Sequence, residues 1–159
     1  MNITIIALGK LKEKYLRDAV DEYAKRISAY GKLDIIELNP VKLSDNPSQN
    51  EITSALSKEA DEIKKKIPNG SYIFTLCIEG KEKSSEAFAK AINDAALNGK
   101  SHITFIIGSS YGLSPEIKNL SDFKLSFSPM TFPHQLMRVM LLEQVYRAFQ
   151  INNNGKYHK

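Results

Sequence analysis

Phe105-Ile-Ile-Gly-Ser-Ser-Tyr-Gly-Leu113 and, further along, Leu125-Ser-Phe-Ser-Pro-Met-Thr-Phe-Pro-His134 are the stretches on which the fold turns. In the first, an apolar strand empties into a Gly-x-x-x-Gly loop. In the second, a strand empties into a loop stiffened by Pro129 and Pro133, and that loop opens the longest apolar helix of the chain. Two such exits close together suggest one pocket at the carboxyl ends of a parallel sheet, where open α/β folds bind ligands. Either loop alone is also explained as a tight turn without a ligand. The two together are harder to explain that way, because a polar, conformationally awkward loop is not needed to fill a core.

The rest of the chain supports such a sheet. Apolar runs read as strands over residues 2–8, 33–38, 72–78, 102–107 and 123–127. Apolar residues at helical spacing predict helices over 13–30, 52–67, 84–97 and 133–149. A short helix begins at Ser114-Pro115-Glu116, with Ser as N-cap and Pro at the first helical position. Residues 39–50, which hold Pro40 and Pro47, read as a long loop, 79–83 as a shorter one, and 151–159 as a polar tail. The first, third and fourth strands are apolar on both faces. The fold class is therefore α/β, a mainly parallel sheet covered by helices on both faces. No repeat or linker interrupts the 159 residues, so one domain over 1–159 is expected.

The last helix is apolar around most of its circumference: Leu136, Met137, Val139, Met140, Leu141, Leu142, Val145, Tyr146 and Phe149 do not fit one stripe. A second subunit is a natural cover, since no later element is expected to lie over it, and a homodimer follows. A central core helix is the alternative.

Charge separates the two parts of the chain. Residues 1–99 hold 15 Lys and Arg against 15 Asp and Glu, whereas residues 100–159 hold 7 basic and 3 acidic residues. The whole surplus of +4 thus lies with the unusual loops, which favours an anionic partner, nucleic acid first. A second basic cluster, Lys10, Lys12 and Lys14, follows the first strand. Lys64-Lys65-Lys66 closes a helix, where cations suit the dipole. The single cysteine, Cys77, excludes an internal disulfide and every multi-cysteine zinc motif, and in its apolar strand it reads as a buried, inert thiol. No apolar run approaches the ~20 residues that span a bilayer, and the amino terminus does not read as a signal peptide. The cytoplasm is the expected location, with no membrane partner.

Familiar catalytic motifs fail on spacing. A P-loop ending at Gly80-Lys81 would need Gly where Thr75 stands and Ser or Thr where Glu82 stands. Gly108-Ser-Ser-Tyr-Gly112 is not a dinucleotide fingerprint. His102, His134 and His158 are far apart and no metal-ligand spacing exists, so no metal is expected. What remains is a pocket made largely of backbone. Gly108 admits close approach and Gly112 permits positive φ. Ser126, Ser128 and Thr131 add hydroxyls, and Leu76 an apolar wall. Such a site suits an uncharged or zwitterionic ligand with a flat aromatic group, and suits a polyphosphate less, since neither loop holds a basic residue.

Those two loops, with Glu143-Gln-Val-Tyr-Arg-Ala-Phe149 and the terminal Tyr157-His158, resemble the ribosomal RNA large subunit methyltransferase H family of the SPOUT class. The resemblance covers the whole chain. It implies a carboxyl-terminal trefoil knot, a homodimer, S-adenosylmethionine bound in the knot, and methylation of N3 of a pseudouridine in 23S rRNA within the ribosome. It places cofactor contacts on Leu76, Gly108, Phe127, Ser128, Pro129, Met130, Thr131 and Phe132. Ser109 departs from the family, which usually has a second glycine there.

Methyl transfer from a sulfonium to nitrogen is mainly a matter of alignment, but the N3–H must also lose its proton. Tyr157 and His158 are the catalytic candidates for that task, with Arg138 and Lys159 as electrostatic or phosphate contacts. An extended tail from Gln150 could reach up to ~33 Å, enough to cross to a partner's pocket. The expectation is a tail that orders on RNA, against the alternative of a frayed terminus. Two other functions stay open on the residues alone: a non-catalytic rRNA-binding assembly factor, and an enzyme using another adenine-containing ligand.

Overall fold

The computed structural model describes residues 1–159. Ten elements follow one another: β1 (Asn2–Leu8), α1 (Lys14–Ile27), β2 (Lys32–Leu38), α2 (Gln49–Lys66), β3 (Tyr72–Glu82), α3 (Ser85–Leu97), β4 (His102–Ile107), α4 (Pro115–Leu120), β5 (Phe123–Ser126) and α5 (His134–Asn152). The strands form one sheet in the order β2-β1-β4-β3-β5, and every neighbouring pair is parallel. Parallel strands require crossovers, which the intervening helices supply.

Strand alternation divides the core between two faces. Ile3, Ile5 and Ala7 of β1 join Val20, Phe88, Ile92, Leu142 and Val145 from α1, α3 and α5. Ile6 and Leu8 of the same strand join Ala60, Ile63 and Ile117 from α2 and α4. At the centre, Phe74 and Phe105 are fully buried and stacked 5.1 Å apart. Truncating either to Ala costs about 3–5 kcal/mol by the usual cavity penalty.

Several element bounds differ from the sequence reading. α2 begins before Ile52 because Ser48 and Glu51 form a capping box: the Glu51 N–H donates to Ser48 Oγ at 3.1 Å, and the Ser48 N–H to Glu51 Oε1 at 3.3 Å. β3 continues through the segment expected to be a loop, since Lys81 and Glu82 pair again with Leu125 and Ser126 after a register shift. Gly80 permits this, for a Cβ there would lie 2.6 Å from the Lys124 carbonyl oxygen.

α5 finds more cover within the chain than its sequence suggested. It buries Leu141, Leu142, Val145, Ala148 and Phe149. Tyr30 stacks on Phe149 at 5.5 Å, and Asn152 Nδ2 donates to the Ala89 carbonyl at 3.0 Å. Beyond α5 the chain reverses: Asn154 takes φ 55, and Gly155 packs so closely on Gln150 that a Cβ would meet its Oε1 at 1.8 Å. Asn and Gly tolerate such turns best. The terminal residues then lie back along α5, with the Tyr157 ring 4.9 Å from that of Tyr146. A later element does cover α5, contrary to expectation, and Leu136 is its one large apolar residue left exposed.

Candidate functional site

A cavity of about 740 Å³ opens where β3, β4 and β5 present their carboxyl-side residues, between the two loops singled out above. Leu76 and Ile107 supply wall from the strands, Leu113 from the first loop, and Met137 from the first turns of α5.

The first loop is folded upon itself. Ser109 and Gly112 form an antiparallel bridge, and the Gly112 N–H donates to the Ser109 carbonyl at 2.8 Å. Gly112 takes φ +82, as its glycine implied. Gly108 is also required by the loop itself. A Cβ there would lie 2.5 Å from the Gly112 carbonyl oxygen, so the loop's own backbone demands glycine. Ser109, the departure from the family pattern, turns its hydroxyl to Glu59 Oε1 at 3.0 Å. Glu59 is buried, 5% exposed, and its other oxygen accepts the Val41 N–H at 2.9 Å. Sequence reasoning missed Glu59; the available signal was a carboxylate at the inner positions of α2, next to Ala60.

The second loop is turned by its serines. Ser126 Oγ donates to the Ser128 carbonyl at 3.2 Å, and the Met130 N–H donates to Ser128 Oγ at 3.0 Å. Phe127, Ser128, Met130, Thr131 and Phe132 line the cavity, as does Gly108. Pro129 points to solvent and does not line it.

Among the lining residues that escaped the sequence reading, Cys77, Lys118 and His134 bear on the cavity's chemistry. Cys77 is half-buried on the cavity wall rather than lost in the core. Burial, then the neighbouring Glu79 carboxylate, push its thiol pKa up, which keeps it protonated and poorly nucleophilic. Lys118, from α4, adds a cation to a site expected to have none, and it donates to Glu79 across the wall. That hydrogen bond holds the Glu79 carboxyl below its ordinary range. His134 lines the cavity at the start of α5; burial, with Arg138 and Lys12 adding repulsion, pulls its pKa below 6.5, so it favours the neutral form.

Neither the catalytic candidates Tyr157 and His158 nor Arg138, expected to assist them electrostatically, lines this cavity. Arg138 is 2% exposed: Nη1 pairs with Glu37 at 2.7 Å and Nη2 donates to the Gly9 carbonyl at 3.0 Å. Its place is under the β1–α1 turn, away from the surface where a phosphate contact was expected. Tyr157 donates its hydroxyl to Glu143 Oε1 at 2.9 Å. Burial, then that carboxylate, raise its phenol pKa. His158 lies 3.1 Å from Arg147 Nη1 and 2.8 Å from Glu86 Oε1. The His158 contact lowers the Glu86 carboxyl to about 2. The tail is therefore docked within its own chain, not frayed and not waiting for RNA to order it. It sits beside a second cavity of about 500 Å³, which Glu143 and Arg147 line. Leu125 and Phe127 line both cavities and form the partition between them.

No group of three or more His, Cys, Asp or Glu side chains is arranged to hold a metal ion. No helix is long and apolar enough to cross a membrane.

Residues 1–158 match the model of a family described as predicted SPOUT methyltransferase. A Methanococcus maripaludis protein, provisionally named ribosomal RNA large subunit methyltransferase H, is 60% identical over 159 residues, with both chains covered in full. The Clostridium novyi protein named ribosomal RNA large subunit methyltransferase H is 54% identical over 159 residues, again covering both completely. Among solved structures, a probable methylase family protein from Haemophilus influenzae superposes with a TM-score of 0.55 at 13% identity. That superposition covers 99% of this chain and 70% of the other, and it is a likeness of fold alone.

Proposed function

The chain belongs to the SPOUT methyltransferase family, and from that premise we propose that it methylates N3 of a pseudouridine in large-subunit 23S rRNA, with S-adenosylmethionine as donor. The observation that carries this reading is one cavity built by both strand-exit loops, in a chain 54–60% identical along its full length to proteins named for rRNA methylation. In this proposal residues 1–159 act as one domain in the cytoplasm, on assembled ribosomal particles, as a homodimer, and β4 through α5 form the family's trefoil knot.

The residues present fit the donor. Leu76, Ile107, Leu113 and Met137 offer apolar wall for a flat base. The main chain of the Gly108 loop and of residues 127–132 offers polar groups whose geometry glycine and serine have already fixed. Lys118 is matched by Glu79, so the wall carries no free cation that would repel a sulfonium. Bound there, S-adenosylmethionine supplies a methyl group already activated on sulfur. The chain's tasks are to align the acceptor nitrogen, exclude water and take up the N3 proton.

Tyr157 and His158 are proposed for the proton, acting at the partner's cavity. Within one chain they stand on the far side of Phe127, so a second protomer is the economical way to bring a tail to the first cavity. Leu136 and the incompletely covered residues near it on α5 offer the partner an apolar face. Arg138 enters as the anchor of the β1–α1 turn, and Lys159 as a phosphate contact.

Calorimetric titration with S-adenosylmethionine and S-adenosylhomocysteine tests the pocket. Transfer of tritiated methyl to ribosomes, isolated subunits and bare 23S rRNA tests the substrate. Saturable donor binding with label in large-subunit rRNA is expected. An rRNA-binding protein with no donor affinity would instead be the non-catalytic assembly factor.

A further inference from the structure

None of the basic cluster Lys10, Lys12 and Lys14 lines the pocket just described. It lies where β1 gives way to α1, in an irregular stretch held at several points. The Gly9 N–H donates to the Leu38 carbonyl at 2.7 Å, and the Gly9 carbonyl accepts from Arg138 at 3.0 Å. The Lys12 N–H donates to Gln135 Oε1 at 3.0 Å. Arg17 Nη1 donates to the carbonyls of Leu11 at 3.2 Å and Lys12 at 2.9 Å. Two guanidinium groups and one amide thus fix the path of a turn whose own long side chains stay in water.

Lys10 and Lys12 are exposed and make no ion pair. Lys14 is paired with Asp18 at 2.6 Å, and Glu13 offsets a further charge, so the free positive charge is that of Lys10 and Lys12. Tyr15, next to Lys14, is 69% exposed. The turn also borders the large cavity: a Cβ on Gly9 would lie 3.9 Å from Nε2 of His134, which lines it.

We propose that residues 9–17 form a preformed RNA-docking edge at the mouth of the cavity. Lys10 and Lys12 take backbone phosphates, and Tyr15 gives a stacking face to an unpaired base. The inference rests on the methyl-transfer reading and adds the surface by which its substrate is held. A turn already fixed by Arg17, Gln135 and Arg138 loses little freedom on binding, so contacts made by its lysines are not offset by the ordering of a loop. Lysines on phosphates combined with an exposed aromatic suit RNA whose bases are splayed out of a helix.

The test compares Lys10→Ala/Lys12→Ala, Tyr15→Ala and a control, Lys25→Ala/Lys58→Ala, which removes equal charge from exposed lysines elsewhere. Three quantities are measured: donor binding by calorimetry, KM for ribosomal particles across a salt series, and retention of 23S rRNA on filters. The expected result for the lysine pair is unchanged donor binding, a KM raised at least about tenfold, and a log–log salt slope shallower by about 1.5. Tyr15→Ala raises KM several-fold, and the control behaves as wild type. Wild-type KM and rRNA retention in the lysine pair, equal losses in the control, or a Tyr15→Ala variant identical to wild type would each overturn the proposal. Absence of donor binding in the unaltered protein counts against the methyl-transfer reading instead, and rRNA retention still decides the edge.

Discussion

Ser109 donates its hydroxyl to Glu59 at 3.0 Å, so the first pocket loop is tied to α2 through a buried carboxylate. Because the other oxygen of Glu59 accepts the Val41 N–H, the same side chain also holds the long segment after β2. Glu59→Ala leaves both donors without a partner and is expected to destabilise the fold by about 1–3 kcal/mol. Donor affinity should fall about tenfold as the loop loosens, equivalent to about 1.4 kcal/mol. Ser109→Gly should cost less, and the double variant less than the sum, because the two share one interaction. Denaturant titration and calorimetry read both quantities; additive losses would show that the pair is not coupled.

The two glycines of that loop should fail differently. In Gly108→Ala the new Cβ meets backbone at 2.5 Å, so the loop must open, and donor binding is expected to drop well beyond tenfold. Gly112→Ala meets nothing within 4 Å but holds φ +82, and should cost only about 1–2 kcal/mol of stability. Equal donor affinities in the two variants would contradict the assignment.

Gly155 controls the tail. Its Cβ would displace Gln150, whose Nε2 donates to the hydroxyls of Tyr30 at 2.7 Å and Tyr146 at 2.9 Å. Gly155→Ala should therefore release residues 156–159 to proteolysis and lower stability by about 1–2 kcal/mol, the value of one or two hydrogen bonds. Donor binding should be unchanged, since no tail residue lines the first cavity, while methyl transfer falls. Deleting residues 151–159 with full turnover retained would remove Tyr157 and His158 from the mechanism.

Glu79 gives a pH signature. Its carboxyl lies below the ordinary 4.5 in the folded chain, chiefly through the hydrogen bond from Lys118. A depressed acid stabilises the fold above its unfolded pKa and loses that contribution as pH falls through the folded value. The stability difference between wild type and Glu79→Gln should be flat near neutrality and shrink below about pH 4.5. Glu79 is largely exposed, so solvent screening limits the difference to at most about 1 kcal/mol. A gap that widens on acidification would rule out this pairing as the cause.

The short-range features were legible in the chain. β1 and β4 fall where their apolar runs place them, because a strand buried on both faces has a continuous apolar run to betray it. α4 begins at Pro115 behind the Ser114 cap, since capping is a matter of adjacent residues. The extension of β3 was hidden: Gly80-Lys-Glu82 reads as a turn, and only its pairing with β5 makes it strand. The capping box of α2 was readable in Ser48 and Glu51, and the proline beside it drew the reading toward loop.

Sequence alone determined the alternation of strand and helix, the parallel sheet and the two loops that build the cavity, because periodicity and the demands of Gly and Pro act within a few residues. Tertiary structure decided which side chains serve that cavity. It gave Arg138 to Glu37 and Gly9, Ser109 to Glu59, Lys118 to Glu79, and the tail to α5. Each of these partnerships joins distant segments or depends on a reversal of the chain, and a buried or bridging polar group is satisfied by whatever donor or acceptor the fold brings within about 3 Å, which no local pattern encodes.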